Sequence, residues 1–571
     1  MAMEKKEYTL GISLGHDSGV ALLCDEQILF AANEERFSRV KGHSGFPAQS
    51  LEYVISNFDI PIASVAIDGR FVAPHGDEDA YRFEGPAPAL IKWANASHLD
   101  SILLGSRLGV SVLRSFYILA HLPARTIQNK KIRESVIANA KLGSFRRIDH
   151  HFAHAASVVL PRERAGRGTV VTLDGVGEGV CSRVLDFDGG KFHEKSWQPA
   201  IGSPALMYGY LTRVLGYKIN RHEGKLTGLA AFGSGDEVYR TLRKYFSYDS
   251  GKNLFKAKKI GYGYRAIEKL QSELSGIAPA EIASGVQRIF EENVLSYIST
   301  LQSEFKGNKL YLSGGAFANV KLNQRILELE GISEISIAPN MGDGGLALGA
   351  ASMVHKSHVT LDSLYLGSKP EEIAPLELFN LGLTVSPAHD DLPLSVAKIL
   401  ADKKIVAVAR DRMEYGPRAL GNRSILYSTS DREVNTWLNK KLRRTEFMPF
   451  APICREVDAH KYFELSMPPG AYSSMTITCN VTEHCKNVAP AVVHVDGTAR
   501  PQILTRNQNP FIYDLISRYA EITGEGILVN TSFNMHEEPI VRTGLQAVRA
   551  YLDSSIDYLV LNDQIISREA R

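Results

Sequence analysis

The chain has 571 residues, 44% hydrophobic and 22% charged, with 65 Lys and Arg against 63 Asp and Glu for a net charge of +2. That length excludes a single ordinary core and sets an expectation of two to four domains. The near-neutral balance gives no support to a polyanion-binding surface, and no apolar run approaches the ~20 residues of a membrane span.

Five cysteines (Cys24, Cys181, Cys454, Cys479 and Cys485) form no CxxC pair, which fits reduced thiols in a cytoplasmic protein. The charged start MAMEKKEYTL runs into a strand and does not read as a signal peptide. A strand is expected over 8–14, a turn at Gly15-His16-Asp17-Ser18-Gly19, and a second strand over 20–24.

The segment Asp149-His150-His151-Phe152-Ala153-His154 opens an Ala-rich run that reads as a helix. Residues four apart share a helix face, so His150 and His154 can turn two imidazoles toward one ion. His151 points elsewhere. A second strand-turn-strand follows, with strands over 169–173 and 180–187 and a turn over 174–179. A shift of 160 places Gly15 on Gly175, Gly19 on Gly179 and Val20 on Val180. This suggests a duplicated α/β domain in which two hairpins face a nucleotide cleft.

Two later strands, 309–312 and 335–338, each end in a glycine-rich turn followed by a helix: Ser313-Gly314-Gly315 through Asn319, and Gly342-Asp343-Gly344-Gly345. Such turns let backbone N–H groups approach a phosphate or ribose. Asp174, at a strand end, and Asp343, in a glycine turn, are the oxygen ligands to join the His pair. The resulting N₂O₂ set suits Fe(II), Mn(II) or Zn(II). The pattern is not HExxH, so a zinc-protease reading lacks its glutamate base.

The prolines and polar residues of about 355–385 read as a linker. Beyond it, a strand over 405–409 feeds Arg410, Arg412, Arg418 and Arg423 on Gly-Pro and Gly-Asn turns, with Lys440, Lys441, Arg443 and Arg444 after them. Arginines on ordered turns suit carboxylate or phosphate oxygens. Strand-like segments near 492–495 and 527–529 deliver His494, Asp496, Arg500, Asn530, Ser532 and Asn534 into loops.

The segments GISLGHDSGVALL, EERFSRVKGHSGFP, DHHFAHAAS, EGKLTGLAAFG, SGGAFANVKLN, MGDGGLALGAA, EYGPRALGNRSI, FMPFAP, VDGTARPQ and NTSFNMHEEPI together resemble the NodU/TobZ-type O-carbamoyltransferase family, along nearly the whole chain. The resemblance implies a duplicated actin/hexokinase-like N-terminal domain (residues 1–355, with an inserted segment at about 73–145). A linker (356–390) and a YrdC-like α/β domain (391–571) follow. In such enzymes the YrdC-like domain joins carbamoyl phosphate and ATP, with Mg2+, into carbamoyl adenylate. The N-terminal domain then transfers the carbamoyl group to a hydroxyl.

Carried over residue by residue, the metal ligands fall on His150, His154, Asp174 and Asp343, holding Fe(II) or a similar divalent ion. His16 matches the base for the acceptor hydroxyl. Lys41, Gly314, Gly315, Asn319, Gly342 and Gly344 match the adenylate site. Arg418, Arg423, Arg444, Arg500, Asn530, Ser532 and Asn534 are the candidates for ATP and carbamoyl phosphate.

Many members carry Arg where this chain has Met448, so Arg443 or Arg444 is expected to supply that phosphate contact. The segment 73–145 looks longer than in compact members and is expected to shape the acceptor pocket. The acceptor class implied is an antibiotic or sugar-containing small molecule, with no nucleic acid and no membrane as partner. A homodimer stays an open assembly. Three rival readings are a small-molecule kinase of the actin/hexokinase superfamily, a tRNA threonylcarbamoyl-transferase-like enzyme, and a non-catalytic nucleotide-sensing protein on the same scaffold. The first needs no iron site, and the second would call for a basic surface.

Overall fold

The computed structural model describes residues 6–60, 62–69, 141–162, 166–302, 305, 309–386, 391–434, 437–438 and 450–568. The chain is mixed α/β and falls into two compact units. The first is residues 1–34 and 42–361, and the second is residues 35–41 and 362–571. No helix among the described residues is long and apolar enough to cross a membrane. Most of the segment 73–145, together with Arg443, Arg444 and Met448, lies outside the described residues.

The first unit holds two five-stranded sheets with one topology. In the first, β1 (Tyr8–Ser13), β2 (Gly19–Cys24), β3 (Gln27–Asn33), β4 (Ile62–Asp68) and β5 (Lys141–Ile148) run in the order β3-β2-β1-β4-β5. β1 and β3 pair antiparallel with β2, while β4 pairs parallel with β1 and β5.

The second sheet contains β6 (Arg167–Gly177), β7 (Val180–Asp188), β8 (Lys191–Pro199), β9 (Lys309–Ser313) and β10 (Glu334–Ile337). Its order, β8-β7-β6-β9-β10, and its strand senses repeat the first. Every residue of β2 is buried. Its unbroken apolar run, GVALLC, is that of a strand covered on both faces.

Two helices pack against each other, and one of them against β1. α1 (His150–Val159) begins where Asp149 accepts hydrogen bonds from the His151 and Phe152 amides, satisfying two of the donors a helix start leaves open. α2 (Leu346–Val354) is built from small residues, LALGAASMV. A Cβ on Gly11 of β1 would stand 1.9 Å from the Ala347 carbonyl oxygen, and one on Gly349 would stand 1.9 Å from the Ala153 oxygen. Backbone therefore packs directly on backbone, and Ala66, Ala153, Leu346 and Ala350 form the buried seam. This contact fixes the first turn of α2 against α1.

The second unit is built on an eight-stranded mixed sheet. Its strands are β11 (Leu383–Ser386), β12 (Val406–Ala409), β13 (Arg423–Ser428), β14 (Ala451–Arg455), β15 (Gln502–Leu504), β16 (Ile527–Ser532), β17 (Tyr558–Leu561) and β18 (Gln564–Arg568). The order is β11-β18-β17-β12-β13-β16-β14-β15. Helices α3 (Leu392–Ala401) and α4 (Pro510–Thr523) bury Val396, Leu400, Ile512, Leu515 and Ile516 against Val406, Val408 and Leu528.

Three local expectations change. The stretch 356–390 contains a helix, Pro375–Asn380, and edge strand β11, which pairs antiparallel with β18. The segment near 492–495 is no strand: Pro490–Val492 is a 3-10 turn, as suits a proline with no N–H for a ladder. The turn expected over 174–179 is shorter, because β6 continues to Gly177.

Candidate functional site

In the first unit, four atoms able to ligate a cation converge from three elements. His150 and His154 lie one turn apart at the start of α1. Their Nε2 atoms are 3.2 Å apart. Asp174 comes from β6, where the pairing with β7 jumps from Leu173↔Ser182 to Gly177↔Val180. The extra residues of that bulge leave the ladder, which lets a bulge re-aim a side chain. Asp174 Oδ2 reaches His154 Nε2 at 3.0 Å and His150 Nε2 at 3.5 Å. Asp343 opens the turn into α2, and its Oδ1 stands 3.4 Å from His154 Nε2 and 3.7 Å from His150 Nε2.

The donors of His150, His154, Asp174 and Asp343 all lie within 4.8 Å of one another. Two imidazole nitrogens and two carboxylate oxygens are the donor mix of a borderline divalent cation. Asp343 Oδ1 is buried with no hydrogen-bond partner, a costly state for a carboxylate oxygen that a bound cation would relieve. The residues fit a cation. Gly177 also belongs to the fit, since a Cβ there would stand 2.2 Å from the His150 ring.

Charge is concentrated here. Burial disfavours the imidazolium of His150, but the Asp343 and Asp174 carboxylates outweigh it and raise the group to about 10. Asp174 is held well below the usual carboxylate range: burial opposes ionisation, and hydrogen bonds from His150 and His154 overcome it. Asp68, at the end of β4, accepts from the Leu14 amide at 3.0 Å. Burial lifts its carboxyl to about 6.

His16, on the turn between β1 and β2, places Nε2 3.1 Å from Asp343 Oδ2 and Nδ1 3.0 Å from Asp17 Oδ2. Dehydration of the site disfavours its charge, but Asp343 and then Asp17 raise it to about 10. Asp343 thus turns one oxygen to the His pair and the other to His16.

His151 has a separate role. Its Nε2–H donates to the Val180 carbonyl at 3.0 Å, and its Nδ1 accepts from the Thr172 hydroxyl at 2.8 Å. Burial, then the neighbouring His150, presses it down to about 3. It is a neutral ring tying α1 to β6 and β7.

The glycine turns differ in their reasons. Gly314 needs its φ of 115° and would put a Cβ 2.2 Å from the Leu173 carbonyl oxygen. Gly315 lies beside Asp174, and Gly344 is crowded by Asn33 and Asn340, whereas nothing lies near a Cβ on Gly342. Asn319 caps the next helix through the Leu322 amide and exchanges hydrogen bonds with Gln287.

In the second unit, one carboxylate organises the arginine-bearing loop. Glu414 Oε1 accepts from the Leu420, Asn422 and Arg423 amides at 2.8–2.9 Å. Tyr365 and Gln502 donate to the Leu420 carbonyl, and Asn530 to the Ala419 carbonyl. The half-buried Arg418 rides on this immobilised loop.

Arg423 is placed otherwise. It is fully buried, and its guanidinium donates to the backbone carbonyls of Arg410, Asp411, Asn422, Ser368 and Arg542 at 2.7–3.3 Å. In this structure Arg423 holds backbone carbonyls rather than facing solvent. Asn530 is likewise buried, donating to Gln502 at 2.8 Å, and Ser532 donates to Asn534 at 2.6 Å. Arg500 is half-buried just after the short strand Thr498–Ala499. Lys41 Nζ lies 3.3 Å from Glu35, in the short segment that packs with this unit. In that segment, Arg36 donates to the Gly416 carbonyl at 2.9 Å.

Residues 8–352 match the family model described as carbamoyltransferase N-terminus, and residues 397–568 match carbamoyltransferase C-terminus. The chain belongs to the carbamoyltransferase family. The chain is 30% identical to the uncharacterized protein MJ1051 of Methanocaldococcus jannaschii, over 98% of this chain and 99% of the relative. It is 28% identical to nodulation protein NolNO of Sinorhizobium fredii, over 97% and 79%. It is also 30% identical to the 3'-hydroxymethylcephem-O-carbamoyltransferase of Streptomyces clavuligerus, over 60% and 64%.

Several residues that shape these sites carry little sequence signal. That of Asp17 is its place next to His16 in a tight turn, and that of Glu414 is its place opening the Gly-Pro loop. Asp68 has none, because a single acid at a strand end is ordinary.

Proposed function

We propose that this protein makes carbamoyl adenylate from carbamoyl phosphate, ATP and water, releasing phosphate and pyrophosphate, and then transfers the carbamoyl group to a hydroxyl of a small-molecule acceptor. The observation that carries the reading is the Asp343 carboxylate, shared between a four-donor cation cluster and His16. On this reading the two sheets of the first unit are the halves of an actin/hexokinase-like transfer domain. The second unit is a YrdC-like adenylate-forming domain, using ATP with Mg2+.

His150, His154, Asp174 and Asp343 would hold a divalent cation such as Fe(II). When bound, it supplies positive charge against a phosphate or carbonyl oxygen. With a cation held by Asp343 offsetting the carboxylate charge that otherwise raises His16, His16 Nε2 takes the proton of the acceptor hydroxyl as that oxygen attacks the carbamoyl carbon and AMP departs. The backbone of the Gly314–Gly315 turn, freed of side chains, approaches the adenylate closely. Arg418 and Arg500 offer guanidinium groups to the phosphorylated substrates of the first step. The acceptor is proposed to be a natural product bearing a sugar or antibiotic hydroxyl. Support comes from a relative named for a hydroxymethylcephem and from nodulation proteins.

The test is incubation with ATP, carbamoyl phosphate and Fe(II), followed by assay for pyrophosphate and carbamoyl adenylate. Absence of both sinks the proposal. His16→Asn is expected to make adenylate without transferring it.

A further inference from the structure

We propose that Asp17 is a positioning residue that fixes the ring of His16, and that Asn33 in turn fixes Asp17. The inference deepens the reading of His16 as the transfer base and rests on it for its functional meaning. His16 is 38% exposed on the turn between β1 and β2, so packing alone does not lock its ring. A base that must meet a hydroxyl within hydrogen-bond reach needs its orientation set by a partner.

Asp17 Oδ2 supplies that partner, 3.0 Å from His16 Nδ1. Acceptors at both ring nitrogens, Asp17 at Nδ1 and Asp343 at Nε2, each hold an N–H and together fix the plane of the ring. Nε2 is also the nitrogen directed at the ligand cluster, 3.1 Å from Asp343 Oδ2.

Asp17 adopts this place from an uncommon backbone conformation, with φ of 54°. Aspartate tolerates the left-handed region better than most residues, yet such a conformation persists only where the surroundings determine it. Those surroundings are explicit. Asn33 Nδ2 donates to the Asp17 carbonyl at 2.7 Å, and Asn33 Oδ1 accepts from Asn340 Nδ2 at 2.9 Å.

Asn340 lies three residues before Asp343. One chain of side-chain amides therefore ties the turn that carries His16 to the turn that carries Asp343. The space for it is kept by Gly344, where a Cβ would stand 2.4 Å from Asn33 Nδ2. The Glu34 amide adds a second tie, donating to the Ser18 carbonyl at 2.7 Å.

The competing explanation is that Asp17 serves only as a left-handed turn residue. Asp17→Gly separates the two, because glycine accepts the same φ at no steric cost while removing the carboxylate. The full-length protein is labelled with 15N-histidine, and the His16 signals are assigned by their loss in His16→Asn. In the wild type a protected Nδ1–H is expected. In Asp17→Gly that signal is lost to exchange, while Asp17→Asn, which keeps an acceptor oxygen, restores part of it.

Asn33→Ala, which leaves both His16 and Asp17 in place, is expected to weaken the same signal. It also serves as the second variant should Asp17→Gly fold poorly. A His16 signal unchanged in both Asp17→Gly and Asn33→Ala overturns the proposal. The underlying functional reading fails separately, if the wild type releases no pyrophosphate from ATP and carbamoyl phosphate.

Discussion

Gly349→Ala tests how the four proposed cation ligands are brought to one point. The added Cβ would lie 1.9 Å from the Ala153 carbonyl oxygen, where ordinary contact begins at 3.4 Å, so α1 and α2 must part by about 1.5 Å. The obstacle is backbone, which cannot swing aside as a long side chain can. Overpacking of this kind costs about 1–3 kcal/mol. The same displacement carries His150 and His154 away from Asp343, opening separations of 3.4 and 3.7 Å to roughly 5 Å. Metal ligands tolerate errors of only about 0.2 Å.

Fe(II) affinity is therefore expected to fall at least about tenfold, with carbamoyl transfer falling alongside and the thermal midpoint dropping by a few degrees. Metal retained after gel filtration, calorimetric titration and thermal melting together measure this. A Gly349→Ala protein with wild-type Fe(II) affinity and midpoint would refute the claim that the contact between α1 and α2 sets the ligand spacing.

Three further outcomes are expected. Asp174→Asn removes one charged donor and should weaken Fe(II) binding by about 10–100-fold or more, while pyrophosphate release from ATP and carbamoyl phosphate continues; the two assays together check it. Arg423→Met should lower unfolding stability by about 3 kcal/mol or more in urea titrations, because several buried carbonyls lose a charged donor. A raised KM for carbamoyl phosphate at unchanged stability would instead make Arg423 an anion ligand.

His151 yields a pH dependence. Burial and His150 press it from 6.5 to about 3, so as pH falls below 6.5 the unfolded chain binds a proton that the folded chain refuses. Its contribution is fully present above pH 6.5 and is lost as pH falls toward 3. His151→Gln should flatten the acid side of the stability profile over that window, measured by urea unfolding at successive pH values.

Much of the local structure is legible because it follows short-range rules. Four-residue spacing on an Asp-capped, alanine-rich helix puts His150 and His154 on one face, whatever lies elsewhere. Strand-turn-strand patterns mark both hairpins, and glycine turns mark the ends of β9 and β10. What the sequence does not carry is the direction in which a side chain points. Arginines on tight turns look alike in sequence, yet Arg423, the first residue of β13, points inward onto carbonyls while Arg418 is only half-buried on its loop. Asp174 looked like part of a six-residue turn, but it is carried by a bulge in a strand that runs on to Gly177.

By itself, the sequence determined the family, the mixed α/β class, the helical pairing of His150 with His154, and the residue types able to complete a cation site. These depend on composition, periodicity and turn chemistry, all of which act over a few residues. Only the tertiary structure decided the distances. The 3.0–3.7 Å separations among His150, His154, Asp174 and Asp343 depend on a helix pressed backbone to backbone against another helix and a strand. The bond that turns His16 toward Asp343 joins residues more than three hundred positions apart. Contacts at that range arise from close packing of the whole unit, and no local rule specifies them.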